Sequence, residues 1–95
     1  MKMYVIVRRD ISPSYQAVQG GHALAEFLLN YSQNWGNSTL IYLGVSNELQ
    51  LKKWENKLTQ RNITFAEWRE PDIDNQITAI AAYSNEEVFK NLNLL

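Results

Sequence analysis

The chain has no cysteine and only one histidine, His22, in its 95 residues. The first absence removes disulfides, thiolate nucleophiles and thiolate metal sites, and the second leaves no histidine-rich zinc centre. No apolar run approaches the ~18 residues that a membrane span needs. The opening "MKMYVIVRRD" lacks the apolar length and small-residue cleavage site of a signal peptide. Charge of one sign is missing too: nine basic residues face ten acidic ones, for a formal net charge of -1. That is no footprint of a polyanion binder unless the basic groups are segregated onto one face. These absences predict a soluble cytoplasmic protein with no membrane partner, no metal and no cofactor.

What is present reads as one ordinary globule. Hydrophobic residues make up 45% and charged residues 20% of the chain, and a single domain over residues 1–95 buries about 60–65% of its unfolded surface. "MYVIVRR" (3–9) and "TLIYLGV" (39–45) are apolar runs of buried strands. Between them a helix is predicted from Pro13 to about Tyr31, with Tyr15, Val18, His22, Ala25 and Leu29 at helical spacing. Val18, His22 and Leu29 are expected to pack on the sheet. "NWGNS" (34–38) is turn chemistry. Ser46 with Leu49, Leu51, Trp54 and Leu58 marks a second, capped helix ending near 61–62. "ITFAEWRE" (63–70) and "QITAIAAY" (76–83) are strands joined by the polar turn "PDIDN". Ser84 with Glu87 reads as a capping box for a last short helix, "NEEVFKNL". The order β-α-β-α-β-β-α predicts a three-layer α/β/α domain with a four-stranded mixed sheet.

The stretch "SPSYQAVQGGHALAEF" (12–27) carries the chemistry. Ser12 is a plausible N-cap with Pro13 at the first helical position. A helix interior then accepts Gly20-Gly21, at roughly 1 kcal/mol each against alanine. The pair is not a phosphate-cradling loop, because it lies inside the helix instead of before it. Gly20-Gly21 fits close packing on a sheet or close approach by a partner. Ser12 or Ser14 with His22 and Asp10 can be drawn as a catalytic triad, but such triads are set by geometry that short spacing does not supply. The acidic run Glu67, Glu70, Asp72 and Asp74 does not fit a calcium loop: the central glycine is missing and the twelfth position is Tyr83. Arg8 and Arg9 end the first strand just before a helix N-terminus, where free N–H groups favour anions. Pairing of either arginine with Asp10 or Glu70 explains them equally well.

The runs "VIVRRDI", "AVQGGHALAEF" and "WREPDIDNQITAIAAY", ending in "NLNLL", resemble peptidyl-tRNA hydrolase of the archaeal and eukaryotic type (type 2) over nearly the whole chain. Arg8, Asp10, Ala17, Gln19, His22, Ala23 and Thr78 fall on matching positions of that pattern. The family's lysine falls on Tyr15, and its catalytic aspartate position carries Glu70. The loop before the helix and the turn after Glu70 are both shorter than in the family. The resemblance implies small residues between Gln19 and His22, and a fold-defining role for His22. It implies hydrolysis of the ester between peptide and tRNA, with Glu70, Thr78 and Gln19 as the catalytic set. Arg8, Arg9, Asp10, Ser12, Ser14, Tyr15 and His22 would line the ligand site. The alternative is a catalytically silent module of the same fold that holds a nucleotide-like anionic ligand at the helix start. A tyrosine hydroxyl is neutral near pH 7 and cannot replace a lysine's charge. Family members are usually homodimers, and Trp35, Phe89 and the terminal "LNLL" offer apolar material for such a contact.

Overall fold

The computed structural model describes residues 1–31, 34–85 and 87–95. Its elements are β1 (Lys2–Arg8), α1 (Pro13–Asn30), β2 (Leu40–Val45), α2 (Glu48–Gln60), β3 (Phe65–Glu70), β4 (Gln76–Ser84) and β5 (Asn93–Leu94). Two 3-10 turns, Pro71–Ile73 and Glu87–Asn91, lead into β4 and β5. The sheet order is β3-β4-β1-β2-β5. β1 and β2 are parallel, and the other three pairings are antiparallel. The mixed sheet is as expected, but it has five strands instead of four. The added strand pairs Asn93 and Leu94 with Gly44 and Leu43. A two-residue strand is too short to show the period-two pattern by which strands are read. The expected last helix is a 3-10 turn, and Ser84 ends β4 instead of capping it. Glu86, within that expected helix, lies outside the described residues.

The alternation of β1 divides the core. Met3, Val5 and Val7 pack with Ala23 and Phe27 of α1, while Ile6 packs with Leu51, Trp54 and Leu58 of α2 and with Phe89. The helices therefore cover opposite faces. The buried stripe of α1 is Gln19, Gly20, Ala23 and Phe27, not the expected one. Val18 is 52% and Leu29 80% exposed, and His22 is exposed as well. One helical residue is ~100° of rotation, so a stripe read one residue early points to solvent. Gly20 explains the actual orientation: a β-carbon there would sit 2.5 Å from the Tyr42 ring. Gly21 faces open space. On α2 the N-cap is Asn47, not Ser46, and its side chain accepts from the Gln50 N–H at 3.1 Å. Leu49 is exposed, whereas Trp35 and Phe89 belong to the core instead of a free apolar surface.

One irregularity in β4 positions the site. Trp68 pairs with Ala79 and Arg69 with Ile77, so Thr78 is an extra residue without a partner on β3. Such a bulge breaks the alternation. Ile77 turns into the α2-side cluster, while Thr78 reaches Gln19 on the α1 side beside Ala79. The displaced Ile77 peptide is then satisfied by side chains. Its N–H donates to Glu48 Oε2 at 2.8 Å, and its carbonyl accepts from Arg8 Nη1 at 3.3 Å.

Candidate active site

The start of α1 is pinned to the sheet before any functional group is placed. The Arg9 N–H donates to the Val45 carbonyl at 2.7 Å, extending the β1–β2 ladder by one bond. Gln16 Nε2 then donates to the carbonyls of Ile11 at 2.7 Å and Arg9 at 3.2 Å. Ser12 takes the extended N-cap conformation, with Pro13 opening the helix and no side-chain cap bond. Gln19 follows two turns in, on the face that meets the sheet.

From Gln19 runs a buried polar relay. The Thr78 hydroxyl donates to Gln19 Oε1 at 2.6 Å, and Gln19 Nε2 donates to Glu70 Oε1 at 2.9 Å. Glu70 Oε2 accepts from the Asp72 N–H at 3.3 Å. Thr78, Gln19 and Glu70 are all buried. The direction of each bond follows from donor and acceptor chemistry. An ionised carboxylate only accepts, so the Gln19 amide turns its NH2 to Glu70 and its oxygen to Thr78.

That arrangement keeps Glu70 charged. The Gln19 bond, opposed by desolvation and helped by the Asp72 N–H, holds the carboxyl below its ordinary value. The Trp68 indole N–H and the nearby His22 act in the same direction. Trp68 Nε1 is buried and falls short of a direct hydrogen bond, so its influence is that of an oriented dipole. The His22 ring stacks on Trp68, with centroids 4.4 Å apart and planes 13° from parallel. Tyr15, one turn before Gln19, brings its hydroxyl to the same carboxylate. Partial burial first, and then the charges of Glu70 and Asp72, push its ionisation above the ordinary tyrosine range. It stays protonated at neutral pH as a hydrogen-bond donor.

The structure therefore gathers Tyr15, Gln19, His22, Glu70 and Thr78 around one point, and it takes both arginines elsewhere. Arg8 is buried and grips Asp10 with two bonds, Nε to Oδ1 at 2.6 Å and Nη2 to Oδ2 at 2.8 Å. Its Nη1 donates to Gln76 Oε1 at 2.8 Å. Bonding to Asp10 raises Arg8 above its ordinary value and lowers Asp10. Arg9 lies against Gly44 and donates to the Leu94 carbonyl at 2.6 Å, which ties down β5. Ser12 and Ser14 are exposed at the helix start. Trp68 was not singled out from the sequence, although Ala66, Trp68 and Glu70 alternate along one face of β3. Glu48 was missed as well, and nothing local in sequence announces its bond to a bulge far along the chain.

The family model described as Peptidyl-tRNA hydrolase PTH2 matches residues 1–94. Among solved structures, a protein of unknown function, Atu0240 from Agrobacterium tumefaciens strain C58, superposes with a TM-score of 0.71 at 15% identity. The match covers 99% of this chain and 96% of that one. At that identity the likeness speaks for the fold alone. No curated protein matches the chain.

Proposed function

Because the chain belongs to the peptidyl-tRNA hydrolase PTH2 family, we propose that it hydrolyses the ester between a peptide and tRNA, with Glu70 orienting the attacking water. The observation that carries this reading is the Thr78–Gln19–Glu70 relay. Burying a carboxylate is costly, and an apolar side chain of similar volume would often serve stability as well. Here a strand bulge, a buried amide and a buried hydroxyl all serve to aim one charged group. The bulge beside a site is itself a recurrent device for re-aiming a side chain.

In this reading a water donating a hydrogen bond to Glu70 attacks the ester carbonyl and yields its proton to the carboxylate as the new C–O bond forms. The oxyanion is met by the Tyr15 hydroxyl, and the ribose oxygen leaves with the proton returned from Glu70. A carboxylate held below its ordinary value is a weak base near neutral pH. A neutral phenol also stabilises an oxyanion less than a cation does. Turnover is accordingly slower than that of a family enzyme carrying the lysine. The test is release of N-blocked amino acid from aminoacyl-tRNA. Glu70→Gln should abolish release, and Tyr15→Phe should lower it roughly 10-fold or more.

A second reading is favoured by one observation: among the described residues, no lysine or arginine bonds to Glu70 or Tyr15. On that reading the module binds its ligand and leaves the ester intact. Glu70 and Asp72 beside the helix start work against an anionic ligand there, so nucleotide phosphate is disfavoured at that spot. Tight binding of the tRNA ester without release would select it.

The partner is completed by a second copy of the chain. α1 turns Ser14, Val18, Gly21, Ala25 and Leu28 outward at alternating spacings of four and three residues, the spacing that paired helices use. A two-fold axis at Gly21 would set Gly21 against its own copy, Val18 against Ala25 and Ser14 against Leu28. Analytical ultracentrifugation should find a dimer at micromolar concentration, weakened in Leu28→Glu. A monomer throughout that range overturns the assembly.

No helix among the described residues is long and apolar enough to cross a membrane.

A further inference from the structure

The two ends of the sheet differ in charge: at the end that carries the relay, carboxylates outnumber the cations Arg8, Arg9 and Arg69, and Arg8 is taken up by Asp10. Asp10, Glu48, Glu70, Asp72 and Asp74 lie where β1 and β3 finish and β4 begins. The far end of β4, a strand of nine residues, lies eight steps away, or roughly 26 Å at ~3.3 Å per residue. There a cleft of about 510 Å³ opens between the C-terminal turn of α2 and the segment after β4. Among the described residues, Lys57, Arg61 and Lys90 line it together with Asn85, Asn91 and Glu87, and Val88 is the one apolar residue of that lining.

We propose that this cleft binds the phosphate backbone of RNA. It rests on the reading of a tRNA ester as substrate and assigns to it a grip away from the reacting end. The acidic end repels phosphate, so an RNA drawn there needs its counter-charge elsewhere. The three cations are disposed for that task. The Arg61 guanidinium has no hydrogen bond or ion pair among the described residues. Its planar fork matches phosphate oxygens. Lys57 Nζ sits 4.8 Å from the centre of the Trp54 ring, which holds the ammonium over an aromatic face. Lys90 touches Glu87 at 3.3 Å, and both are largely exposed, so that pair is weak enough to yield to phosphate. Cations also complement the α2 C-terminal dipole. That dipole amounts to about half a charge, and it does not account for Lys90, which arrives from another segment. The lining is polar except for Val88, as suits a hydrated, charge-driven contact more than a protein docking on apolar surface.

The test is fluorescence anisotropy with an RNA hairpin that carries no aminoacyl group and ends in a single-stranded 3′ tail, titrated at several salt concentrations. Arg61→Ala/Lys90→Ala should weaken binding at least tenfold at low salt and reduce the salt slope by about 2, one unit per lost contact. Lys52→Ala/Arg69→Ala, outside the cleft, should leave both unchanged. Circular dichroism of both variants checks that the fold is kept. No RNA binding by the wild type would overturn the proposal. So would equal losses in the two double variants, or tighter binding to anionic phosphatidylserine vesicles than to the hairpin. Hydrolysis of a short N-blocked aminoacyl ester, which needs no RNA body, is read in parallel. Its loss would count against the Glu70 chemistry and not against the cleft.

Discussion

Glu67 and Glu70 stand three residues apart on β3 and face opposite sides of the sheet, and the two sides treat carboxylates in opposite ways. Glu70, on the α1 side, is buried yet kept ionised by the Gln19 amide and the Asp72 N–H. On the α2 side Glu67 lies beside Glu55 of α2, placed to accept a hydrogen bond from a protonated Glu55. Desolvation first, and then the neighbouring Glu67, push Glu55 up to about 8, while Glu67 is held low by that bond and by Arg69. Glu55 Oε2 has no donor available when both groups are ionised, and a proton on Glu55 lets it donate to Glu67. The difference teaches that burial alone does not decide a carboxylate's charge. Desolvation raises both groups, and only at Glu70 do donors outweigh it.

The largest effect in this comparison should come from Gln19→Ala, which takes from Glu70 and Thr78 their shared partner. A loss of about 2–4 kcal/mol is expected in urea unfolding, from the cavity and the unsatisfied groups together. The Glu70 carboxyl should titrate higher in NMR. Unchanged stability would mean that the relay is incidental packing.

Thr78→Val keeps the shape and removes only the hydroxyl that ends the relay. It should cost about 1–2 kcal/mol, since Gln19 Oε1 is left without its 2.6 Å donor. A near-neutral result would show that Gln19 holds Glu70 unaided.

Glu55→Gln tests the other side through pH. Glu55 binds its proton more tightly folded than unfolded, so its contribution is full below about 4.5 and is lost as pH rises through about 8. Glu70 runs the other way: its folded value is depressed, so its contribution is present above 4.5 and is lost as pH falls through the folded value. Stability measured at pH 5 should therefore barely respond to Glu55→Gln. At pH 8.5 the variant should gain about 1 kcal/mol, well under the full shift because Glu55 is partly exposed. An equal gain at both values would refute the proton on Glu55.

Arg69→Ala should matter least. Its 2.7 Å pair with Glu67 is exposed on the arginine side, so stability should move by no more than about 0.5 kcal/mol. The Glu55 titration should nonetheless rise, because Arg69 is one of the charges that favour its ionised form. NMR titration of the Glu55 side chain would detect it, and no movement would place the proton elsewhere.

Much of the site was legible in the chain, and the limits were geometric. Tyr15, Gln19, His22, Glu70 and Thr78 were all named from the first helix and the last two long strands, and they meet. Arg8 and Arg9 were named for the same point and are held elsewhere, by Asp10 and by the Leu94 carbonyl. Sequence adjacency to a helix start says nothing about where a long side chain turns. The two glycines show the same limit at single-residue scale. Gly20 is explained by the Tyr42 ring, whereas Gly21 meets nothing within 4 Å in the single chain.

The sequence by itself determined the order of the first six elements, the two-sided burial of β1 and the class of the fold. These follow from local periodicity and turn chemistry, which each segment carries alone. Only the tertiary structure decided which stripe of α1 is buried, because that depends on the close approach of Tyr42 to Gly20. It also decided the face of Thr78, through a bulge whose displaced peptide is satisfied by Glu48 and Arg8, far away in the chain. Glu70 stays charged and Glu55 takes a proton for the same reason. A carboxylate's state is set by its burial against the donors folded onto it, and both depend on other elements.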